Sequence, residues 1–237
     1  MMLLKKINYG IYTIGLMLKA IKLTFIRKFK GEVEGDKYVD KVACTWSDYT
    51  INKAIEMNVK IIGEENIPKE PCVFIGNHTS ILDCPLLMVA AKRSIGFIAK
   101  KELIKVPIIG YWIKQSKCVP INRENAREAV KVINEGVQNI KDGHSMAVFP
   151  EGTRSKDGIL GEFKKGSMKL ATKAKAPIVP VAIDRAYRAF EIDRKFKSID
   201  ITVTFGEPIY TETLSKEEEK VLSERVRSVI AKSLGQE

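Results

Sequence analysis

From Val59 to Phe205, short apolar runs alternate with segments of helical periodicity, and this alternation constrains the fold most strongly. Seven runs are each long enough to form one strand. They lie at residues 59–62, 72–75, 95–99, 118–121, 146–149, 178–183 and 199–205. Several are apolar at almost every position, which is typical of strands that are covered on both faces of a sheet. The pattern predicts an α/β fold with a largely parallel central sheet flanked by helices.

The segments between these runs predict helices at residues 85–92, 126–141 and 166–175. Residues 126–141 are the best marked, because apolar residues recur there every three or four positions and Gly143 follows. Nearer the C-terminus, Ser215 and Glu218 have the spacing of a capping box, which predicts a helix to about Leu234. We expect an α/β domain over residues 59–237 and a separate element over residues 1–58.

Residues 3–28 carry an apolar stripe at helical spacing. Its members are Ile7, Ile11, Ile14, Leu18, Ile21 and Phe25. The first 31 residues hold seven Lys or Arg and no Asp or Glu, a bias that suits insertion into an anionic membrane interface. The alternative is a helix that packs on the protein core. Residues 7–18 form an uncharged run of 12 residues, too short to cross a bilayer, and residues 19–22 make a poor signal-cleavage site.

A second helix is predicted at residues 38–57, after a turn at residues 31–36. We expect the first helix to remain uncleaved in the mature protein and to dock on a membrane. Trp46 lies on the apolar face of the second helix. Its indole could anchor the element at the membrane interface, or it could belong to the core.

The formal net charge is +11, from 40 Lys and Arg against 29 Asp and Glu, and it favours an anionic partner. Because the cationic excess is concentrated at the apolar N-terminus and few aromatic residues lie among the cations, we do not expect a nucleic-acid partner. The four cysteines form no CxxC pair, which predicts neither a zinc site nor a disulfide framework. We therefore expect a reducing compartment and no metal.

His78 directly follows the apolar run at residues 72–75, and Asp83 comes five residues later. In open α/β sheets, ligands bind beyond the carboxyl ends of the strands. A strand–loop–helix junction can bring these two side chains together, whereas one continuous helix cannot. A carboxylate on one imidazole nitrogen would leave the other free as a base. Alternatively, Asp83 caps a helix that contains Pro85, and His78 is a loop residue bonded to backbone.

A second polar cluster, FPEGTRS at residues 149–155, also follows an apolar run. Gly152 allows the backbone to approach a ligand closely, and Arg154 can hold a phosphate with paired hydrogen bonds. Lys100 and Arg123 follow two further strands. Three strand ends would then bring cations to the sheet edge that carries His78. This combination predicts a phosphate pocket beside a general base.

Four segments resemble, in order, the motif blocks of the glycerolipid acyltransferase family. These segments are NHTSILD, CVPINR, FPEGTRS and APIVPV, between residue 77 and about residue 183. Four ordered blocks are far more specific than a single HxxxxD pattern. Within the family, the chain is similar to the bacterial 1-acylglycerol-3-phosphate acyltransferases. Residues 1–58 resemble the two-helix membrane-docking element of the bacterial members.

The resemblance implies that His78, oriented by Asp83, acts as general base on the free hydroxyl of lysophosphatidic acid, or of another lysophospholipid. It implies an acyl thioester of acyl carrier protein or coenzyme A as donor, with no cofactor. It also implies an anionic bilayer as partner, at the cytoplasmic face of the cell membrane. The role of Glu151 stays open between bracing Arg154 and bracing the loop. The implied substrate-binding residues are Lys100, Arg123, Glu151, Gly152, Thr153 and Arg154.

Overall fold

The computed structural model describes residues 2–122 and 126–237, without the side chains of residues 2–6, 126–127 and 165. Within these residues, seven strands form one sheet in the order β1-β7-β6-β2-β5-β3-β4. Their bounds are β1 Asn58–Ile62, β2 Val73–Gly76, β3 Gly96–Lys100, β4 Val119–Ile121, β5 Met146–Val148, β6 Ile178–Asp184 and β7 Asp200–Phe205. The predicted α/β class is confirmed, and each predicted strand lies within one residue of its observed bounds.

The sheet is parallel at every pairing apart from β6 with β7, which is antiparallel. Five strands, β2 to β6, therefore end at the same edge. β2 lies between β5 and β6, with Val73 beside both Met146 and Ile178. The segments that follow β2 and β5 consequently begin side by side. They carry the two polar motifs that contain His78 and Arg154.

Helices flank this sheet on both faces. The α-helices of the described residues are α1 Met2–Lys30, α2 Glu32–Asp48, α3 Asp83–Ala91, α4 Ile109–Gln115, α5 Ala126–Lys141, α6 Lys169–Ala174 and α7 Lys216–Leu234. A π-helical segment and several 3-10 segments supplement them: Tyr49–Ile55, Glu64–Asn66, Lys101–Lys105, Lys165–Met168, Ala186–Ala189 and Thr211–Thr213. The capping box is present at α7, where the Ser215 side chain accepts from the Glu218 N–H at 3.2 Å. The seven-residue α4 was not predicted, because so short a helix shows no clear period.

The predicted turn at residues 31–36 is wrong. Gly31 alone reverses the chain, with φ of 87°, and α2 begins at Glu32. Glu32 and Glu34 lie in the first turn of α2, where negative charge is stabilised by the unpaired N–H groups of the helix. After Asp48 the helix continues as the π-helical segment Tyr49–Ile55, so the second helix starts earlier than expected and ends close to its predicted end.

Each face of the sheet has its own apolar cluster, which explains why the central strands β2, β5 and β6 are apolar at almost every position. Phe74 and Phe205 pack with α3 on one face, and Val73 and Met146 pack with α5 to α7 on the other. A third cluster joins α1 and α2 to α4 through Leu16, Leu23, Val39, Val42 and Trp112. Trp46 packs against the first and third clusters, so it belongs to the core.

The predicted stripe of α1 does not face the core. Its six members are each at least half exposed, from 50% at Ile7 to 68% at Leu18, whereas Leu16 and Leu23 are buried. By length and composition, the 24 residues Ile7–Lys30 are long and apolar enough to cross a membrane, which the 12-residue uncharged run did not indicate. The division of the chain at residue 58 stays a prediction.

Candidate active site

His78 and Asp83 meet at the junction between β2 and α3. The His78 Nδ1 atom lies 2.7 Å from Asp83 Oδ2. That oxygen also accepts the backbone N–H groups of Thr79 at 2.7 Å and Ser80 at 2.8 Å. Asp83 is fully buried, and its pairing with three donors compensates for the loss of water around the carboxylate.

The suggestion that Asp83 caps α3 is wrong. Leu82 occupies the N-cap position and Asp83 is the first residue of the helix. The carboxylate turns back onto N–H groups of the loop before α3, instead of those of α3 itself. A single oxygen of Asp83 therefore fixes both the conformation of the loop and the position of the imidazole.

The His78 ring is constrained on its face as well as at its edge. The Phe149 ring stacks on it with centroids 4.4 Å apart and planes within 10°. The His78 side chain is 14% exposed. Because Nδ1 faces the buried carboxylate, Nε2 is the ring nitrogen left to act on a substrate.

Asn77 anchors the same loop to the neighbouring strand. Its buried side-chain amide donates to the Ile183 carbonyl at 3.0 Å and accepts from the Ile183 N–H at 2.8 Å. The His78 carbonyl accepts the Ser155 N–H at 2.8 Å. The loop around the imidazole is thus tied to β6 by Asn77 and to the segment after β5 by the His78 carbonyl.

Glu151 connects the FPEGTRS segment to His78. One carboxylate oxygen accepts the His78 N–H at 2.6 Å, and the other accepts the Gly161 N–H at 3.0 Å. Burial raises the pKa of Glu151 above its ordinary value, although both N–H donors act in the opposite direction. Of the two roles left open by the sequence, Glu151 braces the loop and not Arg154.

Arg154 is instead paired with Glu191, which sequence reasoning missed. The Arg154 Nη1 atom lies 2.8 Å from Glu191 Oε1, and the arginine side chain stays 36% exposed. The Glu191 side chain is only 8% exposed. The carboxylate also accepts the Ile81 N–H at 3.0 Å and pairs with Arg194 at 3.2 Å. No local pattern marks Glu191, because it lies 37 residues from Arg154 in the chain.

The structure describes three of the other predicted binding residues, Lys100, Gly152 and Thr153. Lys100 ends β3, with its side chain 57% exposed and its ammonium 3.7 Å from the Glu102 carboxylate. Gly152 has φ of 73°, a conformation that favours glycine, and Thr153 is exposed. Arg123 lies outside the residues that the structure describes. The structure therefore brings Asp83 and Glu151 each into direct contact with His78, and it leaves Lys100 and Arg154 partly open to solvent.

The family described as Acyltransferase matches residues 58–184, just over half of the chain. The chain belongs to this acyltransferase family. The match runs from β1 to the end of β6, so it contains His78, Asp83, Glu151 and Arg154. Glu191 lies beyond it.

Several relatives carry a more specific name. A probable 1-acyl-sn-glycerol-3-phosphate acyltransferase of Mycoplasma genitalium is 32% identical over 209 residues, 82% of this chain and 75% of that protein. The yeast (Saccharomyces cerevisiae) enzyme of that name is 34% identical over 184 residues, 75% of this chain. The chloroplastic BAT2 enzyme of Brassica napus is 32% identical over 202 residues, 84% of this chain. This chain spans 56% of the Brassica protein and 60% of the yeast protein.

A solved structure is similar over nearly the whole chain. It is the 1-acyl-sn-glycerophosphate (LPA) acyltransferase PlsC of Thermotoga maritima, with a TM-score of 0.80 and 28% identity. The similarity covers 99% of this chain and 95% of that one. The similarity thus includes the N-terminal helices as well as the sheet.

The cysteines of this acyltransferase are placed as packing residues. Burial raises the pKa of Cys72 and of Cys118 to about 11, and it raises the pKa of Cys84 well above its ordinary value. Their thiols are therefore protonated near neutral pH, and a protonated thiol is a poor nucleophile. Cys84 adjoins Asp83, yet its environment does not suit covalent catalysis.

Proposed function

We propose that this chain transfers an acyl group from a thioester to the free hydroxyl of 1-acylglycerol 3-phosphate, which gives phosphatidic acid. One observation carries the proposal: a buried carboxylate holds the His78 imidazole at Nδ1, next to the segment that bears Arg154. The printed names of the Mycoplasma, yeast and Thermotoga relatives support the same reaction.

In the proposed reaction, Nε2 of His78 accepts the proton of the acceptor hydroxyl as its oxygen attacks the thioester carbon. The new C–O bond forms and the C–S bond breaks. The departing sulfur takes the proton from the imidazolium and leaves as a thiol. Asp83 stabilises the charged imidazole while the proton is on it. Because a thioester is already activated, the reaction needs neither a metal nor a cofactor.

The acceptor's phosphate is proposed to bind at the end of β5. Arg154 presents a planar set of donors that matches a phosphate, and the left-handed turn at Gly152 leaves the backbone without a side chain there. Lys100 adds positive charge at the end of β3, and Arg123 and Thr153 complete the proposed set. Charged donors of this kind discriminate a phosphate-bearing acceptor from a neutral glyceride.

The N-terminal helix is proposed to dock on the cytoplasmic face of the cell membrane. Its apolar stripe is exposed while Leu16 and Leu23 pack against α2, so one face is free for lipid and the other is held by protein. A helix with one face committed to the protein is better suited to lie in the interface than to cross the bilayer. Lysines along α1 would face the anionic headgroups. The positive charge of the chain would also favour the acyl donor, because acyl carrier protein and coenzyme A are both anionic.

Thiol release from the acyl donor tests the proposal. Acyl carrier protein and coenzyme A thioesters are each offered with and without lysophosphatidic acid. Lysophosphatidylcholine serves as a comparison acceptor, because its phosphate is a diester that carries choline. His78→Ala should lower the acceptor-dependent rate by about 10²–10⁴-fold. His144→Ala is the matched control, because this second histidine lies in a turn after α5. Near wild-type turnover by His78→Ala, or a rate independent of lysophosphatidic acid, would overturn the proposal.

A further inference from the structure

Glu191 links the two motif segments of the site through a single carboxylate oxygen. Its Oε1 atom accepts the Ile81 N–H at 3.0 Å, within the loop that runs from His78 to Asp83. The same atom lies 2.8 Å from Arg154 Nη1. We infer that Glu191 is a positioning residue that sets the separation between the His78 loop and the Arg154 guanidinium. This inference rests on the proposed function.

The contact leaves Arg154 able to bind a phosphate. Glu191 engages Nη1, so Nη2 and Nε remain on the other side of the fork, where they can donate in parallel to one phosphate. The Arg154 side chain is 36% exposed although its partner is 8% exposed. The buried carboxylate therefore holds one side of the guanidinium and leaves the other accessible.

The charges around Glu191 indicate that it positions the Arg154 guanidinium and does not cancel the positive charge of the site. Arg194 lies 3.2 Å from Glu191 Oε2, so one carboxylate is shared by two guanidinium groups and the trio keeps a net positive charge. A single Arg154–Glu191 pair would present no net charge to an anionic ligand. With Arg194 present, a phosphate still meets a cationic group whose orientation is restricted.

Glu191 sits on a well-anchored segment. The preceding 3-10 turn, Ala186–Ala189, buries Ala186 and Ala189 completely in the apolar cluster under β6. The Glu191 N–H donates to the Tyr187 carbonyl at 2.9 Å. A carboxylate on such a support can hold its two donors at a constant spacing, which is the requirement for a positioning role.

The separation between His78 and the phosphate ligand decides which acceptor hydroxyl can react. A base and a phosphate clamp held at one distance favour the acceptor whose hydroxyl and phosphate are separated by the same distance. Removing Glu191 should therefore weaken productive binding of lysophosphatidic acid, while the imidazole itself keeps its contact with Asp83.

Two linked measurements test this role on the full-length protein. The first is the KM for lysophosphatidic acid and the kcat of acyl transfer. The second is equilibrium binding of radiolabelled lysophosphatidic acid in zwitterionic micelles, which needs no turnover. Glu191→Gln should raise KM and the dissociation constant about tenfold, with kcat within about twofold, because a charge-assisted bond is lost. Asp193→Asn is the matched control, since the described contacts of its exposed carboxylate are with Lys197 and the Lys195 N–H and not with Arg154.

A double-variant comparison separates positioning from general support of the fold. If Glu191 acts through Arg154, Glu191→Gln should change binding by less than about twofold when Arg154→Ala is already present. A full tenfold rise in the dissociation constant on the Arg154→Ala background would overturn the inference. Tighter binding by Glu191→Gln alone would also overturn it, because that result would show that the carboxylate competes with phosphate. If Glu191→Gln does not fold, Glu191→Asp is measured in its place. Its dissociation constant for lysophosphatidic acid should be at least about threefold higher than that of the wild type.

The binding measurement also keeps this inference distinct from the proposed function. Wild-type protein that binds lysophosphatidic acid through Arg154 but releases no thiol would overturn the proposed reaction and leave the Glu191 comparison fully decisive. Wild-type protein that binds no lysophosphatidic acid would overturn the positioning role.

Discussion

The Glu151 carboxylate accepts the backbone N–H of His78 at 2.6 Å, although the two residues are 73 positions apart. Its second oxygen accepts the Gly161 N–H. One side chain therefore holds the backbone of the proposed base, His78, and the backbone of Gly161, which follows FPEGTRS in the chain. The position of His78 depends on this link as well as on Asp83.

Glu151→Gln should lower kcat about tenfold with little change in acceptor KM. The amide has one oxygen for two N–H donors, so its NH₂ group would face one of them, and a buried donor left unpaired costs roughly 1–3 kcal/mol. Steady-state thiol release measures the split between kcat and KM. An unchanged kcat, or a loss confined to KM, would contradict the bracing role.

The raised pKa of Glu151 predicts a pH-dependent difference in stability. Because this carboxyl binds its proton more tightly in the folded chain than in the unfolded chain, it adds stability below its ordinary pKa of 4.5, and that stability is lost as pH rises through the folded-state pKa. Measured by urea unfolding, the stability of wild type relative to Glu151→Gln should therefore increase as pH falls from neutral towards 4.5. A difference that does not change with pH would contradict the shift.

Asp83→Asn should lower kcat by about 10²–10⁴-fold. An amide cannot stabilise the charged imidazole as a carboxylate does, and with its oxygen kept in the place of Oδ2 its NH₂ group would take the buried place of Oδ1, which has no hydrogen-bond partner among the described residues. Acyl transfer is compared with that of Asp200→Asn, an exposed carboxylate on β7. If the two variants had similar rates, Asp83 would have no special role in the reaction.

Gly152→Ala should destabilise the protein by about 1–2 kcal/mol, the cost of a left-handed conformation for a residue with a Cβ. The new Cβ would also lie 2.8 Å from Lys164 Nζ, but a flexible ammonium can move away. Gly166→Ala is the control, since Gly166 has no neighbour within 4 Å of its Cβ position and no positive φ. Urea unfolding measures both. Equal stability of the two variants would argue against strain at Gly152.

Ile14→Asp together with Leu18→Asp should weaken binding to phosphatidylglycerol vesicles by at least about 100-fold. Both side chains are more than 60% exposed, and burying each in lipid is worth roughly 1.5–3 kcal/mol. Vesicle co-sedimentation measures binding, and Val221→Asp, at an exposed apolar position of α7, is the control. Point changes suit this test better than deletion of α1, because deletion would remove the buried Leu16 and Leu23. Equal sedimentation by the double variant would rule out docking through the stripe.

Much of the fold could be read from local patterns. The strands were predicted to within one residue, because a strand between two helical layers must be apolar on both faces. The capping box at Ser215 and the long helix at residues 126–141 were equally visible. The failures came where local signals are weak. α4 is too short to show a period. The residue types at residues 31–36 suggested a six-residue turn, whereas Gly31 alone forms it.

The sequence by itself determined the α/β class, from the alternation of apolar runs and helical segments, and the acyltransferase family, from four motif blocks in order. It left open whether Asp83 pairs with His78 or caps its helix, and the structure decided for the pair. Only the tertiary structure decided what the neighbouring carboxylates do. Asp83 binds the loop before its helix, Glu151 braces His78, and Glu191 holds Arg154. The last two contacts join residues 73 and 37 positions apart. Such contacts follow from the order of strands in the sheet, which brings the ends of β2, β5 and β6 together and which no local pattern encodes.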